Sequence, residues 1–146
     1  FRANAGSRRS DLWRRRPAQV IADDTSALMA IVLDDPQADA CIAALEAEDD
    51  LLISAGTVAE TLIVAIRRNV GAEMRRLIDG LGFTVVSVTS ASATRIARAY
   101  EKWGKGVHPA ALNFGDCFAY EVAQEHGCRL LYVGEDFAKT DVGGLP

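Results

Sequence analysis

A short apolar run passes directly into a helical pattern in residues 19–33, QVIADDTSALMAIVL. Residues 19–23 predict a buried strand, and residues 26–33 predict a helix. The helix is expected to end before Pro36, because proline is not tolerated in a helix interior. A strand followed at once by a helix is the opening half of a unit that leads to a second, parallel strand.

Three further apolar runs follow, each separated from the next by helical patterns. The predicted strands are Leu51–Ser54, Phe83–Val88 and Arg129–Val133. The predicted helices lie at about residues 37–48, 58–69, 72–81, 91–103 and 116–125. Apolar strands that alternate with helices indicate a parallel sheet covered on both faces, and therefore an α/β sandwich.

Length and composition limit the classes of protein to consider. The chain has 146 residues, 49% of them hydrophobic and 25% charged, which fits one domain with a single core. No apolar run approaches the ~18 residues that a membrane helix needs, so no membrane association is expected. Three widely spaced cysteines argue against a disulfide framework and fit a reducing cytoplasm. Because the chain has only two histidines, a histidine-rich metal site is excluded. Any metal is therefore expected to be bound by carboxylates, which suit Mg²⁺ or Mn²⁺.

Charge divides the chain near residue 19. Residues 1–16 carry six arginines and one acid, a net charge of +5, whereas the remaining 130 residues carry 10 basic and 19 acidic side chains, a net charge of −9. Residues 1–18 show no periodicity, and we interpret them as a basic arm outside the fold. This arm is either extraneous sequence or an arm that binds RNA or a partner. The domain is expected to span residues 19–146.

Acidic residues fall at or just past the carboxyl ends of the predicted strands, where ligands bind in such folds. They are Asp24, Glu60, Asp116 and the pair Glu135-Asp136. Carboxylates crowded together repel one another unless a cation is bound. A divalent cation would also activate water and stabilise charge on a phosphoryl group. A metal site is therefore one interpretation of this pattern.

Each acid also has a purely structural interpretation. Glu60 fits a capping box that begins at Thr57, and Asp116 fits the first turn of a helix that follows Asn113. Asp24 fits a turn, and the Glu135-Asp136 pair fits a solvated loop. The spacing of the acids does not by itself decide between these interpretations and a metal site.

Four blocks of sequence resemble the PIN-domain ribonucleases, and among them the VapC toxins. The blocks are DTSAL at 24–28, VAET at 58–61, the segment from Tyr100 to Tyr120, and the segment from Leu130 to Asp141. The third block is the most specific, because it contains GKG and then HPAALNFGDC. All four occur in the family's order and spacing, and together they cover about residues 19–142.

The resemblance implies a PIN-like three-layer α/β/α sandwich with a central parallel sheet of four or five strands. It implies an endoribonuclease that uses Mg²⁺ (or Mn²⁺) and metal-activated water to hydrolyse RNA, and that acts as the toxin of a bacterial type II toxin–antitoxin pair. A cognate VapB-like antitoxin that masks the site, and a homodimer, are implied as partners. In this chain no serine or cysteine has an adjacent histidine that would activate it as a nucleophile.

Site residues follow from matching the family's motifs position by position. The expected catalytic and metal-binding acids are Asp24, Glu60, Asp116 and Asp136, with Glu135 as the alternative fourth acid. Ser26 is expected to orient a carboxylate, and Thr25 to support the site. Lys105 and Arg67 are candidate RNA contacts.

The chain departs from the family pattern in four places. Asp23 replaces an apolar residue, and Val107 and Val133 stand where relatives often have a basic residue. Residues 1–18 have no family counterpart, and the short tail leaves a fifth edge strand in doubt. Because side chains alternate along a strand, only one of Asp23 and Asp24 should face the site, and the motif register assigns that position to Asp24.

Two other functions remain open at this point. The DDTS run at 23–26 could supply the nucleophilic aspartate of an α/β phosphatase, although the lysine that such chemistry normally needs at a strand end is absent at Val133. The chain could also be a non-catalytic regulator that only binds an antitoxin, in which case the acids would be dispensable.

Overall fold

The computed structural model describes residues 19–145, so the predicted basic arm lies outside the described residues. The strands are β1 (Val20–Asp23), β2 (Asp50–Ser54), β3 (Thr84–Val86), β4 (Arg129–Leu131) and β5 (Gly144–Leu145). They form one parallel sheet in the order β3-β2-β1-β4-β5. The fifth strand, which the short tail left in doubt, is present and pairs with Leu130 and Leu131 of β4.

Helices connect the strands. They are α1 (Thr25–Val32), α2 (Ala38–Glu46), α3 (Ala55–Arg67), α4 (Gly71–Leu81), α5 (Ser90–Trp103) and α6 (Phe114–Glu125). A single 3-10 turn, Phe137–Lys139, precedes β5. Within residues 19–145, no helix is both long enough and apolar enough to cross a bilayer.

Side-chain alternation along the strands separates the core into two sides. Leu52 and Leu130 belong to the cluster built with α5 and α6, whereas Ile53 and Leu131, their chain neighbours, face clusters built with α1 to α4. Ile21 and Ala22 of β1 divide in the same way. The sheet is therefore the middle layer of a three-layer α/β/α sandwich, as the sequence predicts.

Three helices have side-chain caps next to the predicted acids. Asp24 accepts a hydrogen bond from the Ser26 backbone amide at the start of α1, and Ser54 accepts one from Gly56 at the start of α3. Asn113 and Asp116 form a reciprocal capping box at the start of α6. These caps fix the helix ends that carry the acidic side chains.

The predicted capping box of Thr57 and Glu60 is wrong. Helix α3 begins at Ala55, with Ser54 as its N-cap, so Thr57 is already inside the helix and fully buried. Strand β2 ends immediately before the helix, and the Ser54 hydroxyl reaches the Gly56 amide at 3.1 Å. The position of Glu60 therefore needs an explanation other than capping.

The tail is attached to α5 and α6 by a chain of side-chain hydrogen bonds. The Trp103 indole donates to the Tyr120 hydroxyl at 2.9 Å, and that hydroxyl donates to Asp141 at 2.6 Å. The Leu130 amide donates to the Gly143 carbonyl at 2.8 Å. These contacts hold the segment after β4, which carries Glu135 and Asp136, across the end of the sheet.

Candidate functional site

Asp24 stands at the carboxyl end of the central strand β1. Its Oδ2 accepts hydrogen bonds from the Ser26 hydroxyl at 2.6 Å and the Ser26 amide at 3.0 Å. The Ser26 hydroxyl in turn accepts from the Val133 amide at 2.9 Å, just past β4. Ser26 therefore ties the Asp24 carboxylate to the ends of two adjacent strands.

The other oxygen of Asp24 is buried without a partner. Asp24 is 3% exposed, and among the described residues nothing hydrogen-bonds its Oδ1. The pKa of Asp24 is raised to about 7, chiefly by burial and also by the charges of Asp116 and Glu60, against the opposing effect of the Ser26 hydrogen bonds. The carboxylate is thus poorly compensated by the protein alone.

Glu60 lies in the second turn of α3 and reaches the start of α1. Its Oε1 accepts a hydrogen bond from the Thr25 hydroxyl at 2.6 Å. Its other oxygen lies against Gly115, the residue before Asp116 in α6. Glu60 therefore brings its carboxylate from one helix to the first turns of two others.

Asp116 is held in the first turn of α6, where its Oδ2 accepts a hydrogen bond from the Asn113 amide at 2.9 Å. Its pKa is raised to about 6, chiefly by burial and also by the charges of Glu60 and Asp136, against the opposing effect of the Asn113 hydrogen bond. Glu135 and Asp136 are both exposed, and Asp136 as the fourth acid stays a prediction.

Asp23 faces away from this group of acids. It is 1% exposed, and neither of its carboxylate oxygens has a hydrogen-bond partner within residues 19–145. Burial raises its pKa well above the ordinary value, and repulsion from Asp24 adds to the effect. Because side chains alternate along a strand, Asp23 lies on the same side of β1 as Ile21, which packs with Cys41 of α2. Burial raises the pKa of Cys41, and the charge of Asp23 adds to that rise.

The oxygen donors suit a hard divalent cation. Across residues 19–145, no three Asp, Glu, His or Cys groups are close enough in this arrangement to bind one ion directly. Mg²⁺ does not need three direct protein ligands, because it keeps several waters and binds proteins through one or two carboxylates. The unpartnered Asp24 oxygen, with Glu60 and Asp116 charges beside it, fits such a partly hydrated ion.

The two candidate RNA contacts lie at different distances from the acids. Lys105 is exposed and borders an apolar cleft of about 850 Å³ between α5 and α6, together with Asn113 and Phe114 at the start of α6. Arg67 ends α3, about 10 Å along the helix from Glu60 at 1.5 Å per residue. The Lys105 amide donates to the Leu112 carbonyl at 2.9 Å, which places its backbone beside the segment that leads into α6, whereas Arg67 lies two helical turns from Glu60.

Sequence reasoning missed two residues at the site. Thr61 lies within 2.9 Å of the Thr25 hydroxyl, and Gly115 leaves open the space that the Glu60 carboxylate fills. Thr61 follows the predicted acid Glu60 in the sequence, and Gly115 precedes the predicted acid Asp116. This adjacency is the only feature of the sequence that could have indicated them. The contact between Thr25 and Thr61 spans 36 positions of sequence, and the contact between Glu60 and Gly115 spans 55. No local sequence pattern predicts contacts over such separations.

Comparison with known proteins gives consistent matches. The PIN domain family matches residues 22–143 of the chain. Ribonuclease VapC36 of Mycobacterium tuberculosis is 44% identical over 124 residues, which cover 82% of this chain and 88% of that protein. Ribonuclease VapC30 of the same organism is 39% identical over 122 residues, with 82% and 93% covered.

A solved structure gives the same fold. A toxin–antitoxin complex from Klebsiella pneumoniae contains a chain that superposes with a TM-score of 0.63 at 20% identity, over 86% of this chain and 96% of that one. At that identity the likeness concerns the fold alone.

Proposed function

Because the chain belongs to the PIN domain family, we propose that it is an endoribonuclease that hydrolyses RNA phosphodiester bonds with the help of a divalent cation. The relatives that share 39% and 44% of its sequence are named ribonucleases. One observation of the structure carries the proposal: the buried Asp24 oxygen has no partner within residues 19–145 and lies beside the charges of Glu60 and Asp116. Such an arrangement is costly to a protein unless a cation offsets it.

Asp24, Glu60, Asp116 and Asp136 are the residues that would hold Mg²⁺ or Mn²⁺, some of them through the waters of the ion, because no three are close enough to bind it directly within residues 19–145. When bound there, the cation would supply an activated water and stabilise charge on the phosphoryl group. The protein's own part is to hold the carboxylates in place. Ser26 fixes one oxygen of Asp24 and leaves the other free, and the capping box with Asn113 fixes one oxygen of Asp116.

The acidic charge of the domain is consistent with an RNA substrate under this proposal. The −9 charge of residues 17–146 would repel a polyanion. A divalent cation held by these carboxylates would present a positive centre to the phosphate instead. The exposed Lys105 would add a cation at the cleft between α5 and α6, which the start of α6 also borders. Lys105 is the better candidate for an RNA contact, since Arg67 lies two helical turns from Glu60.

The proposed role in the cell is that of a toxin held inactive by an antitoxin. VapC30 and VapC36 carry the VapC name, and the Klebsiella pneumoniae structure is a toxin–antitoxin complex. We propose a VapB-like antitoxin as partner, a homodimer as the assembled toxin, and the cytoplasm as its location. The three cysteines, all within residues 19–145, are free thiols, which is consistent with a reducing compartment.

No observation favours the phosphatase or the non-catalytic regulator. An aspartate nucleophile would need a free oxygen and a strand-end cation, and Val133 occupies the position after β4 where that lysine would stand. A protein that only binds an antitoxin would gain nothing from the unpartnered, buried carboxylate of Asp24.

Expression in bacteria with sequencing of the 5′ ends of cut RNAs tests the function. The wild-type chain is expected to produce new 5′ ends at a limited set of sites. The Asp24→Asn variant, which keeps the N-cap because asparagine caps helices as well as aspartate does, should produce none. Equal cutting by both proteins would show that the acidic site is not responsible.

A further inference from the structure

The carboxylate of Glu60 occupies the space where a side chain at residue 115 would be. A Cβ built on Gly115 would lie 1.4 Å from Glu60 Oε2 and 2.2 Å from its Cδ. Both distances are far below any van der Waals contact, so the observed position of Glu60 is available only if residue 115 is glycine.

Backbone conformation gives no other reason for this glycine. Gly115 does not have a positive φ, and it lies in the first turn of α6, where alanine has the higher helix propensity. The residue is also buried. Its lack of a side chain is therefore a matter of space, and the group that uses the space is Glu60.

A buried threonine, Thr25, binds the carboxylate, and a second buried threonine, Thr61, hydrogen-bonds to Thr25. The Thr25 hydroxyl donates to Glu60 Oε1 at 2.6 Å and lies 2.9 Å from the Thr61 hydroxyl. Thr25 has a single hydroxyl proton, which it donates in the hydrogen bond to the carboxylate. Thr61 is therefore the donor in the hydrogen bond between the two threonines. Both threonines are less than a tenth exposed.

From these contacts we infer that Gly115 and Thr25 are positioning residues, which together hold the Glu60 carboxylate beside Asp116 for metal binding. The inference rests on the proposed metal-dependent nuclease. Thr25 fixes one oxygen of Glu60, and the space above Gly115 admits the other. An alanine at residue 115 would push the carboxylate away, and the move is easy because that group is the far end of a flexible side chain. The fold should survive the change, and the metal site should not.

Gly115→Ala is tested against Gly80→Ala, because Gly80 is an exposed helical glycine with nothing within 4 Å of an added Cβ. The readouts are Mn²⁺ affinity by electron paramagnetic resonance and RNA cleavage rate. Gly115→Ala should lower Mn²⁺ affinity by about 10- to 100-fold, the scale on which supporting residues act at metal sites. Gly80→Ala should leave both values unchanged.

A double-mutant cycle separates positioning from a general structural effect. In a Glu60→Ala background, Gly115→Ala should cause no further loss of Mn²⁺ affinity, because the group it displaces is already gone. If Gly115→Ala alone lowers the melting temperature, Glu60→Ala should restore it by making room for the new methyl group. Thr25→Val should weaken Mn²⁺ binding, and Thr25→Ser should recover it because serine keeps the hydroxyl.

Two results would overturn the inference while leaving the nuclease intact. One is a Gly115→Ala protein that binds Mn²⁺ and cleaves RNA as Gly80→Ala does. The other is a loss that stays the same in the Glu60→Ala background. A wild-type protein that neither binds Mn²⁺ nor cleaves RNA would instead overturn the proposed function, and this inference with it.

Discussion

Asp23 and Asp24 are consecutive buried aspartates whose side chains lie on opposite sides of the central strand β1. Asp23 lies on the side of β1 that packs against α1 and α2, whereas Asp24 lies at the end of the sheet, where the charges of Asp116 and Glu60 contribute to its raised pKa. Ser26 hydrogen-bonds Asp24, and within residues 19–145 nothing hydrogen-bonds Asp23. The pair therefore supplies an internal control: two similar carboxyl groups, one at the proposed site and one behind it.

Alanine substitutions at these two positions should differ in effect. Asp24→Ala removes a proposed metal ligand and should abolish nearly all RNA cleavage. Asp23→Ala should keep most of the activity, and it should raise the free energy of unfolding at pH 7.5 by about 1 kcal/mol or more, because a buried carboxyl group without partners is costly. Cleavage assays and urea unfolding measure the two quantities. If the order of activities is reversed, the strand register used to assign the site is wrong.

Removing charge from the proposed site should not harm the metal-free fold. In EDTA, the double variant Asp24→Asn with Asp116→Asn should melt no lower than wild type, since asparagine preserves both helix caps and relieves the repulsion between the acids. Adding Mg²⁺ should raise the melting temperature of the wild-type protein alone. A large fall in the melting temperature of the metal-free double variant would show that the two carboxylate charges stabilise the fold, and the interpretation as a metal site would lose its main support.

Stability of the metal-free protein should fall as pH rises. The pKa of Asp24 is raised to about 7 and that of Asp116 to about 6, so the folded protein binds more protons than the unfolded chain between about pH 4 and 7. Stability is therefore lost as pH rises through this window, and Asp24→Asn should make the loss shallower. Melting temperatures in EDTA at pH 5 and pH 7.5 test this. A wild-type protein that is more stable at pH 7.5 would contradict the raised pKa values.

Deleting residues 1–18 should leave turnover at saturating RNA unchanged. The deletion removes six arginines and none of the proposed site residues. Any contribution of the arm to RNA binding is electrostatic, so it should appear at low salt and fade at physiological ionic strength. A folded truncated protein whose saturating turnover collapses would show that the arm belongs to the active site and that the domain does not begin near residue 19.

Most strands and helices could be predicted because each is determined by a local sequence pattern. Each interior strand is a short apolar run, and the helices between them carry periodic patterns. The edge strand β5 could not be predicted, because two residues, Gly144 and Leu145, carry no pattern. Its position depends on distant contacts, such as the hydrogen bond from Tyr120 to Asp141.

The candidate site divides in the same way. The positions of Asp24 and Asp116 follow from strand ends and helix starts, which the sequence displays. The position of the Glu60 carboxylate depends on Thr25 and Gly115, which come from two other helices. Gly115 contributes by having no side chain, so the sequence contains no functional group there from which its role could be predicted.

We propose that the group of acids around Asp24 makes this protein a metal-dependent ribonuclease. The most direct test is the initial rate of cleavage of one defined RNA as a function of Mg²⁺ concentration, for wild type, Asp24→Asn and Asp23→Asn. We predict a saturable Mg²⁺ dependence that EDTA abolishes, a loss of at least about 100-fold in Asp24→Asn, and near wild-type rates in Asp23→Asn. A rate that is independent of Mg²⁺, or equal losses in the two variants, would contradict the account.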